Sequence, residues 1–406
     1  MNGSVQLTRA AAGDGLSIVF QPIVSLPDEC VIGYEALARW PAFDGVNPTS
    51  VIQRASELDT VDGFDRACIE GAVNAAVNAL PEGSVLSINT EACTSPVTTR
   101  NNPLLASAAE RYRIMFEITE RSLLKNPRAL VAKIDSFRAD GFALALDAVG
   151  AERDSCSLLD IVQPDIIKLD LRLIQRLPNI EQARTLTAVL AYRERSDVVL
   201  LAEGIETSEQ LNRALAIGAD LGQGYFFGTP QPSVTTSTST DWIMPVRPRS
   251  DVGQAVTPFD CVSSSSLVRA TEKQLLLAFS RAVEKNILCA SDAFIVFAGV
   301  QHDRFFTGRT MENYSALART CPMVAVFGES LRVSDSALRG VELCAGDPLT
   351  REWIVIAIGG HTSSAILARE VETTFESDDK RMFDFAVTHD RSIISSAARL
   401  LMQRIG

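Results

Sequence analysis

The sequence predicts an α/β protein in two parts. Residues 1–232 read as a (β/α)8, TIM-like barrel. After a linker at 233–262, residues 263–406 read as a C-terminal α+β domain with an antiparallel sheet of GAF- or PAS-like shape. Three observations predict this. Short β-rich runs alternate with amphipathic helical runs through the first 230 residues, and such alternation implies parallel strands joined by helical crossovers. The alternation stops at a Ser/Thr-rich run, 233–240, followed by Pro245, Pro248 and Pro258. Beyond it, strand-like runs follow one another with helices at their flanks.

In order along the chain, strands are expected at Ser17–Phe20, Val31–Leu37, Val85–Ile88, Ile114–Ile118, Phe142–Leu146, Asp165–Leu169, Val198–Ala202 and Gly222–Phe226, with helices such as Asp65–Leu80 and Arg128–Asp140 between them. Eight strands in roughly 220 residues suit a closed barrel, a doubly wound open sheet being the alternative. The Ser/Thr run has no apolar face and proline cannot donate to a ladder, so 233–262 reads as a linker, with Trp242, Ile243 and Met244 available to dock on a neighbouring surface. Leu275, Ala278, Phe279 and Ala282 mark a helix by their spacing. Strands are then expected at Ala293–Val300, Met323–Phe327, Val341–Cys344, Trp353–Ile358 and Ser364–Ala368, and a helix at Ile393–Ile405 closes the chain.

Composition narrows the function. At 46% hydrophobic and 22% charged residues the chain is globular. No apolar stretch reaches the roughly 18 residues of a membrane span, and Met1 to Leu16 has no secretory block, so a cytosolic protein with no membrane partner is expected. A net charge of −12 repels phosphate backbones and argues against duplex nucleic acid. The eight cysteines form no CxxC pair and read as reduced, mostly buried small hydrophobes.

A (β/α)8 barrel carries its active site at the C-terminal ends of its strands. There the sequence places Glu35, Asn89, Glu117, Asp147, Lys168, Glu203 and Gln223, on strands two to eight in turn. One acid at a strand end is most simply a helix cap or a solvated residue. Seven polar ends in register are not explained by capping. The oxygen donors Glu35, Asn89, Glu117 and Asp147, with Glu203, suit a hard cation such as Mg²⁺, Mn²⁺ or Ca²⁺. All three histidines lie beyond the linker, so the barrel has no imidazole base. Acidic ligands with one lysine fit metal-assisted phosphoryl chemistry, Lys168 steadying a phosphate or the attacking water.

These residues sit in motifs. Tyr34-Glu35-Ala36-Leu37-Ala38-Arg39-Trp40, preceded by Gln21-Pro22-Ile23, resembles the signature of the EAL domain family. Ser87-Ile88-Asn89, Glu117-Ile118-Thr119-Glu120, Lys168-Leu169-Asp170, Ala202-Glu203-Gly204-Ile205-Glu206-Thr207 and Gln223-Gly224-Tyr225 with Pro230 and Pro232 resemble its later motifs, in order. The resemblance implies hydrolysis of one phosphodiester of cyclic di-GMP to linear pGpG with two Mg²⁺ or Mn²⁺ ions. Glu35, Asn89, Glu117 and Asp147 would hold the first metal; Asp147 would bridge to the second, which Glu203 also ligates. A hydroxide between the metals would attack phosphorus in line, assisted by Lys168 and positioned by Gln223. Arg39 would contact a phosphate or guanine, Gln21, Asp170, Glu206 and Pro230 would complete the ligand site, and Glu120 would anchor the loop after strand five. Because the family pairs often, a homodimer is a further expectation.

One departure stands out. The family pattern after strand five, D-D-F-G-T-G-Y-S-S, reads here Asp147-Ala148-Val149-Gly150-Ala151-Glu152-Arg153-Asp154-Ser155. A methyl group at Ala148 cannot coordinate a cation, so the second metal keeps Asp147 and Glu203 unless Glu152 or Asp154 substitutes. This sets a phosphodiesterase weakened at its second metal against a receptor that binds cyclic di-GMP without cutting it. Residues 263–406 resemble the DICT domain, a sensory module, in layout and in segments such as Phe294–Val300 and Asp384–His389. This implies regulation through the C-terminal domain and a protein partner reached by it.

Overall fold

The computed structural model describes residues 3–119, 123–151, 155–234, 241–248, 255–306, 308–371 and 378–406. It forms two compact units. One comprises Met1–Ala151, Pro164–Leu186 and Tyr192–Arg249; the other comprises Glu152–Gln163, Thr187–Ala191 and Ser250–Gly406.

In the first unit eight strands close a barrel in chain order: β1 (Ser17–Ser25), β2 (Val31–Arg39), β3 (Val85–Thr90), β4 (Arg113–Thr119), β5 (Ala143–Val149), β6 (Ile166–Leu169), β7 (Val199–Ala202) and β8 (Leu221–Gly222). Closure rules out the open-sheet alternative. Strands β2 to β8 run parallel, but β1 is antiparallel to both β2 and β8, unlike the all-parallel expectation. Only Leu26–Cys30 separate β1 from β2, whereas a parallel crossover needs about a dozen residues. Strand β1 also continues past Phe20, with Pro22 opposite Tyr34.

The eighth strand is shorter than the expected Gly222–Phe226. The chain turns after Gly222: Phe226 N–H bonds the carbonyl of Ile205, and Phe227 N–H that of Gly224. A Cβ at Gly224 would stand 2.0 Å from the Ile205 carbonyl oxygen, so only glycine fits this turn. Helices Val61–Ala79 and Pro127–Ala139 occupy the places expected at Asp65–Leu80 and Arg128–Asp140.

The barrel's N-terminal end is filled by Ile23, Ile32, Val85, Met115, Ile166 and Leu201, and Trp242 and Met244 pack against this cluster. The linker is therefore strapped down here. Arg113 donates to the Trp242 carbonyl, and Arg247 N–H bonds Asp165 Oδ1 at 2.8 Å. Ile243, between the two docked side chains, is 87% exposed.

The second unit holds a seven-stranded sheet in the order β12-β11-β10-β13-β14-β15-β9. Its strands are β9 (Arg269–Glu272), β10 (Phe294–His302), β11 (Met323–Glu329), β12 (Arg339–Leu343), β13 (Glu352–Gly359), β14 (Ser363–Glu370) and β15 (Met382–Thr388). Pairing is antiparallel from β10 through β13, β14 and β15 to β9. The β10/β11 and β11/β12 pairs are parallel, the first because helix Arg309–Ala318 supplies a crossover. Thr257–Val262, read as the end of the linker, is built into this unit: Glu352 accepts from Thr257 Oγ1 at 2.5 Å and from Phe259 N–H at 3.1 Å.

Helix Lys273–Cys289 forms where Leu275, Ala278, Phe279 and Ala282 mark it, yet those four are exposed and the buried positions are Leu276, Ser280, Glu284 and Ile287. No disulfide joins the eight cysteines. The expectation that most are buried does not hold: Cys30, Cys289 and Cys344 are exposed and the other five half-buried, because most lie at turns and element ends.

Candidate active site at the barrel mouth

Each strand end delivers one polar side chain to a common point. The Lys168 ammonium lies 2.5 Å from Glu117 Oε2, 2.9 Å from Glu203 Oε1, 3.4 Å from Glu35 Oε2 and 3.5 Å from Asp147 Oδ1. Strands β2, β4, β5 and β7 thus each aim a carboxylate at the lysine of β6. Asn89 Nδ2 donates to Glu35 Oε1 at 2.8 Å and Gln223 Nε2 to Glu35 Oε2 at 2.7 Å. Gln21 lies 3.4 Å from Gln223 and donates to the Gly228 carbonyl at 3.3 Å.

Electrostatics follow from this crowding. Burial, and then the neighbouring Glu35 carboxylate, push Glu117 well above the ordinary carboxyl range against the pull of Lys168. Burial, with Asp147 and Glu35 close by, raises Glu203 to about 8. Burial also raises Glu35, but Lys168 and the hydrogen bonds from Asn89 and Gln223 outweigh it, and the net shift is downward. Burial alone would lower Lys168; the surrounding acids, Glu117 first, hold it well above its usual value.

Gln21, Glu35, Asn89, Glu117, Asp147, Lys168, Glu203 and Gln223 are therefore brought together. The other residues assigned to the ligand stand apart from this network. Arg39 donates to the Ala38 carbonyl at 2.9 Å. Asp170 caps helix Leu171–Gln175, accepting from Arg172 N–H at 2.9 Å and Nε at 2.7 Å. Glu206 is exposed and Pro230 half-buried. Arg39 does line a cavity of about 210 Å³ that Glu35 and Asn89 also border. Glu120, and the substitute carboxylates Glu152 and Asp154, lie outside the described residues.

Two supporting features were not read from the sequence. Ser87, two residues before Asn89 on the same strand, donates to Glu117 Oε1; period-two spacing on β3 is the signal that would have found it. Lys133, fully buried, bonds Thr90 at 2.9 Å, the Glu91 carbonyl at 2.6 Å, Thr94 at 2.5 Å and Asp65 at 3.3 Å, fixing the chain just after β3. A lysine in an amphipathic helix gives no local sign that it turns inward.

At Ala148 the ladder between β5 and β6 is irregular, and the residue has φ 59°, in the left-handed region. Asp, Asn and Gly adopt that region more readily than alanine.

Among the described residues no three acidic, histidine or cysteine side chains form a ready-made cation cage; the carboxylates are gathered on Lys168 instead. Two features nevertheless fit a divalent cation. Four carboxylates face a single ammonium, leaving negative charge to be balanced. The buried Gln223 Oε1 has no hydrogen-bond partner among the described residues.

Fold and site together define a (β/α)8-barrel protein whose mouth is a carboxylate cluster suited to cation-assisted chemistry on an anionic ligand. The chain belongs to the EAL domain family, whose pattern matches residues 4–230. Residues 262–371 match the DICT family, described as a sensory domain in diguanylate cyclases and two-component systems. The cyclic di-GMP phosphodiesterase RocR of Pseudomonas aeruginosa is 27% identical over 229 residues, covering 52% of this chain and 57% of that protein. A probable cyclic di-GMP phosphodiesterase of Escherichia coli, PdeG, is 28% identical over 236 residues, covering 55% of this chain and 46% of that one. The chain thus spans about half the length of these relatives or slightly more. Among solved structures, a standalone EAL protein from Vibrio cholerae in its c-di-GMP-bound form is 29% identical, covering 56% of this chain and 96% of that one, with a TM-score of 0.47.

Proposed function

We propose that the barrel binds cyclic di-GMP and hydrolyses one of its phosphodiesters to give linear pGpG, with Mg²⁺ or Mn²⁺ held by Glu35, Asn89, Glu117, Asp147 and Glu203. The observation that carries this reading is the convergence of four strand-end carboxylates within 3.5 Å of Lys168. Such a mouth repels a ligand bearing two phosphodiester charges unless cations intervene. Divalent cations bound there supply Lewis-acid charge to the phosphodiester and ease deprotonation of water. The chain's own groups supply the rest. Lys168 steadies charge on the phosphate, and Gln223, whose carbonyl oxygen is unpartnered among the described residues, orients the attacking water. Gln21, Arg39, Asp170, Glu206 and Pro230 form the rim that receives the guanines and phosphates, and Glu120 steadies the loop after β5. The names of the relatives support cyclic di-GMP as the ligand.

Ala148 favours a second reading, a receptor that holds the nucleotide uncut, because its methyl leaves Asp147 and Glu203 alone to serve a second cation. In either reading the C-terminal unit is a regulatory module. A division into 1–232, a linker at 233–262 and 263–406, a homodimer, a protein partner reached through the C-terminal unit and a cytosolic location belong to the same proposal. No helix among the described residues is long and apolar enough to cross a membrane. The test is to incubate the purified protein with cyclic di-GMP and Mn²⁺ and follow bound nucleotide and released pGpG together. Binding with release supports the enzyme, binding without release the receptor, and the absence of both removes the proposal.

A further inference from the structure

Among the described residues two lysines are buried. Lys168 stands at the centre of the barrel mouth; Lys133, on helix Pro127–Ala139, pairs with none of the carboxylates gathered there. The Lys133 ammonium donates to Thr90 Oγ1 at 2.9 Å and to the Glu91 carbonyl at 2.6 Å, and Thr94 Oγ1 and Asp65 Oδ2 complete its surroundings. Asp65, on helix Val61–Ala79 and 4% exposed, takes the complementary donors: Thr90 Oγ1 at 2.8 Å, the Glu91 N–H at 3.1 Å and Thr94 Oγ1. Two helices thus close an ionic cage around the chain from Thr90 to Thr94.

Such a cage is a poor source of stability. Desolvating an ammonium and a carboxylate costs about what their attraction returns, and apolar side chains of similar volume often serve a fold as well. What the cage does supply is a fixed place for the backbone. That place is the end of β3: Thr90 is the last residue of the strand and follows Asn89 directly, and alternation along a strand sends the two side chains to opposite faces. Asn89 turns to the mouth, its Nδ2 donating to Glu35 Oε1 at 2.8 Å, while Thr90 turns to the cage. Asp65, Thr90 and Glu91 also line the cavity of about 210 Å³ that Glu35, Arg39 and Asn89 border. In the ligand set proposed above, Asn89 is the one neutral donor. An amide oxygen attracts a cation less strongly than a carboxylate does, so its contribution depends most on where the backbone holds it.

We infer that Lys133, together with Asp65, is a positioning residue for the barrel mouth: by clamping Thr90 it holds Asn89 where a divalent cation can use its amide oxygen. The inference rests on the reading of the mouth as a cation site. It adds a requirement that lies outside the mouth, on two helices that carry none of the proposed ligands.

The test is a double-mutant cycle on Mn²⁺ affinity, read in the full chain from the electron spin resonance signal of free Mn²⁺, without nucleotide. Lys133→Met is expected to weaken Mn²⁺ binding by about tenfold or more. In an Asn89→Ala background, where the side chain being positioned is gone, the same change is expected to weaken it by less than about twofold. Leu130→Ala empties a fully buried position on the same helix and takes no hydrogen bond from the cage. It is expected to lower stability in urea yet leave Mn²⁺ affinity within about twofold of the wild type. Should Lys133→Met fail to fold, Thr90→Val, which removes only the clamped hydroxyl, takes its place in the same cycle. Additive losses, an equal loss in Leu130→Ala, or unchanged affinity in the cage variant would overturn the positioning role and leave the cation site standing. A wild type that binds no Mn²⁺ would remove the cation site and this inference with it.

Discussion

Lys168 is a buried cation facing four carboxylates, so its removal leaves acids that repel one another in a water-poor mouth. Lys168→Met is expected to lower stability by about 3–5 kcal/mol without metal, read by urea denaturation. Saturating Mn²⁺ should recover more stability in this variant than it adds to the wild type; equal gains would mean that the carboxylates do not bind the ion. Ala148 poses the opposite case. Its φ of 59° suits aspartate better than alanine, so Ala148→Asp should fold at no cost beyond about 0.5 kcal/mol. By adding a ligand for a second cation it should raise pGpG turnover more than nucleotide affinity. Unchanged turnover, with two ions seen in a crystal of the variant, would show that Ala148 is not the lesion. The carboxylates, Asn89, Lys168 and Gln223 were legible because each closes a strand. Ser87 was marked only by its period-two spacing from Asn89, and Lys133 by nothing local, because a lysine in an amphipathic helix gives no sign that it turns inward.

At the scale of elements, periodicity found the strands but not every direction. The antiparallel β1 follows from a connection too short for a crossover, a constraint visible in the spacing of Phe20 and Val31 once β1 is known to continue to Ser25. Strand β9 is a mostly exposed edge, and β15 buries Phe383 but exposes Asp384, so neither offers a long apolar run. In helix Lys273–Cys289 the apolar stripe at Leu275 and Phe279 competes with the truly buried one at Leu276 and Ile287. The buried stripe carries Ser280 and Glu284, which look like surface residues until Trp353, Asn313 and Tyr314 supply their partners. The linker strap is testable. Trp242→Ala, which empties a half-buried position on the barrel's N-terminal end, should cost on the order of 1–2 kcal/mol in urea denaturation. Ile243→Ala, at an 87% exposed position, should cost almost nothing. Equal costs would mean that the linker is not strapped to the barrel.

For the molecule as a whole, the net charge of −12 and the acidic mouth act in the same sense: both oppose an anionic nucleotide, and cations must reverse that locally. Nucleotide binding at this mouth should therefore depend on divalent cations. The direct measurement is a calorimetric titration of cyclic di-GMP into the full chain, once in Mg²⁺ and once in EDTA. Binding in Mg²⁺ that is lost in EDTA, and lost in both for Glu35→Ala, is the result predicted. Equal affinity in EDTA, or no binding in Mg²⁺, would contradict it.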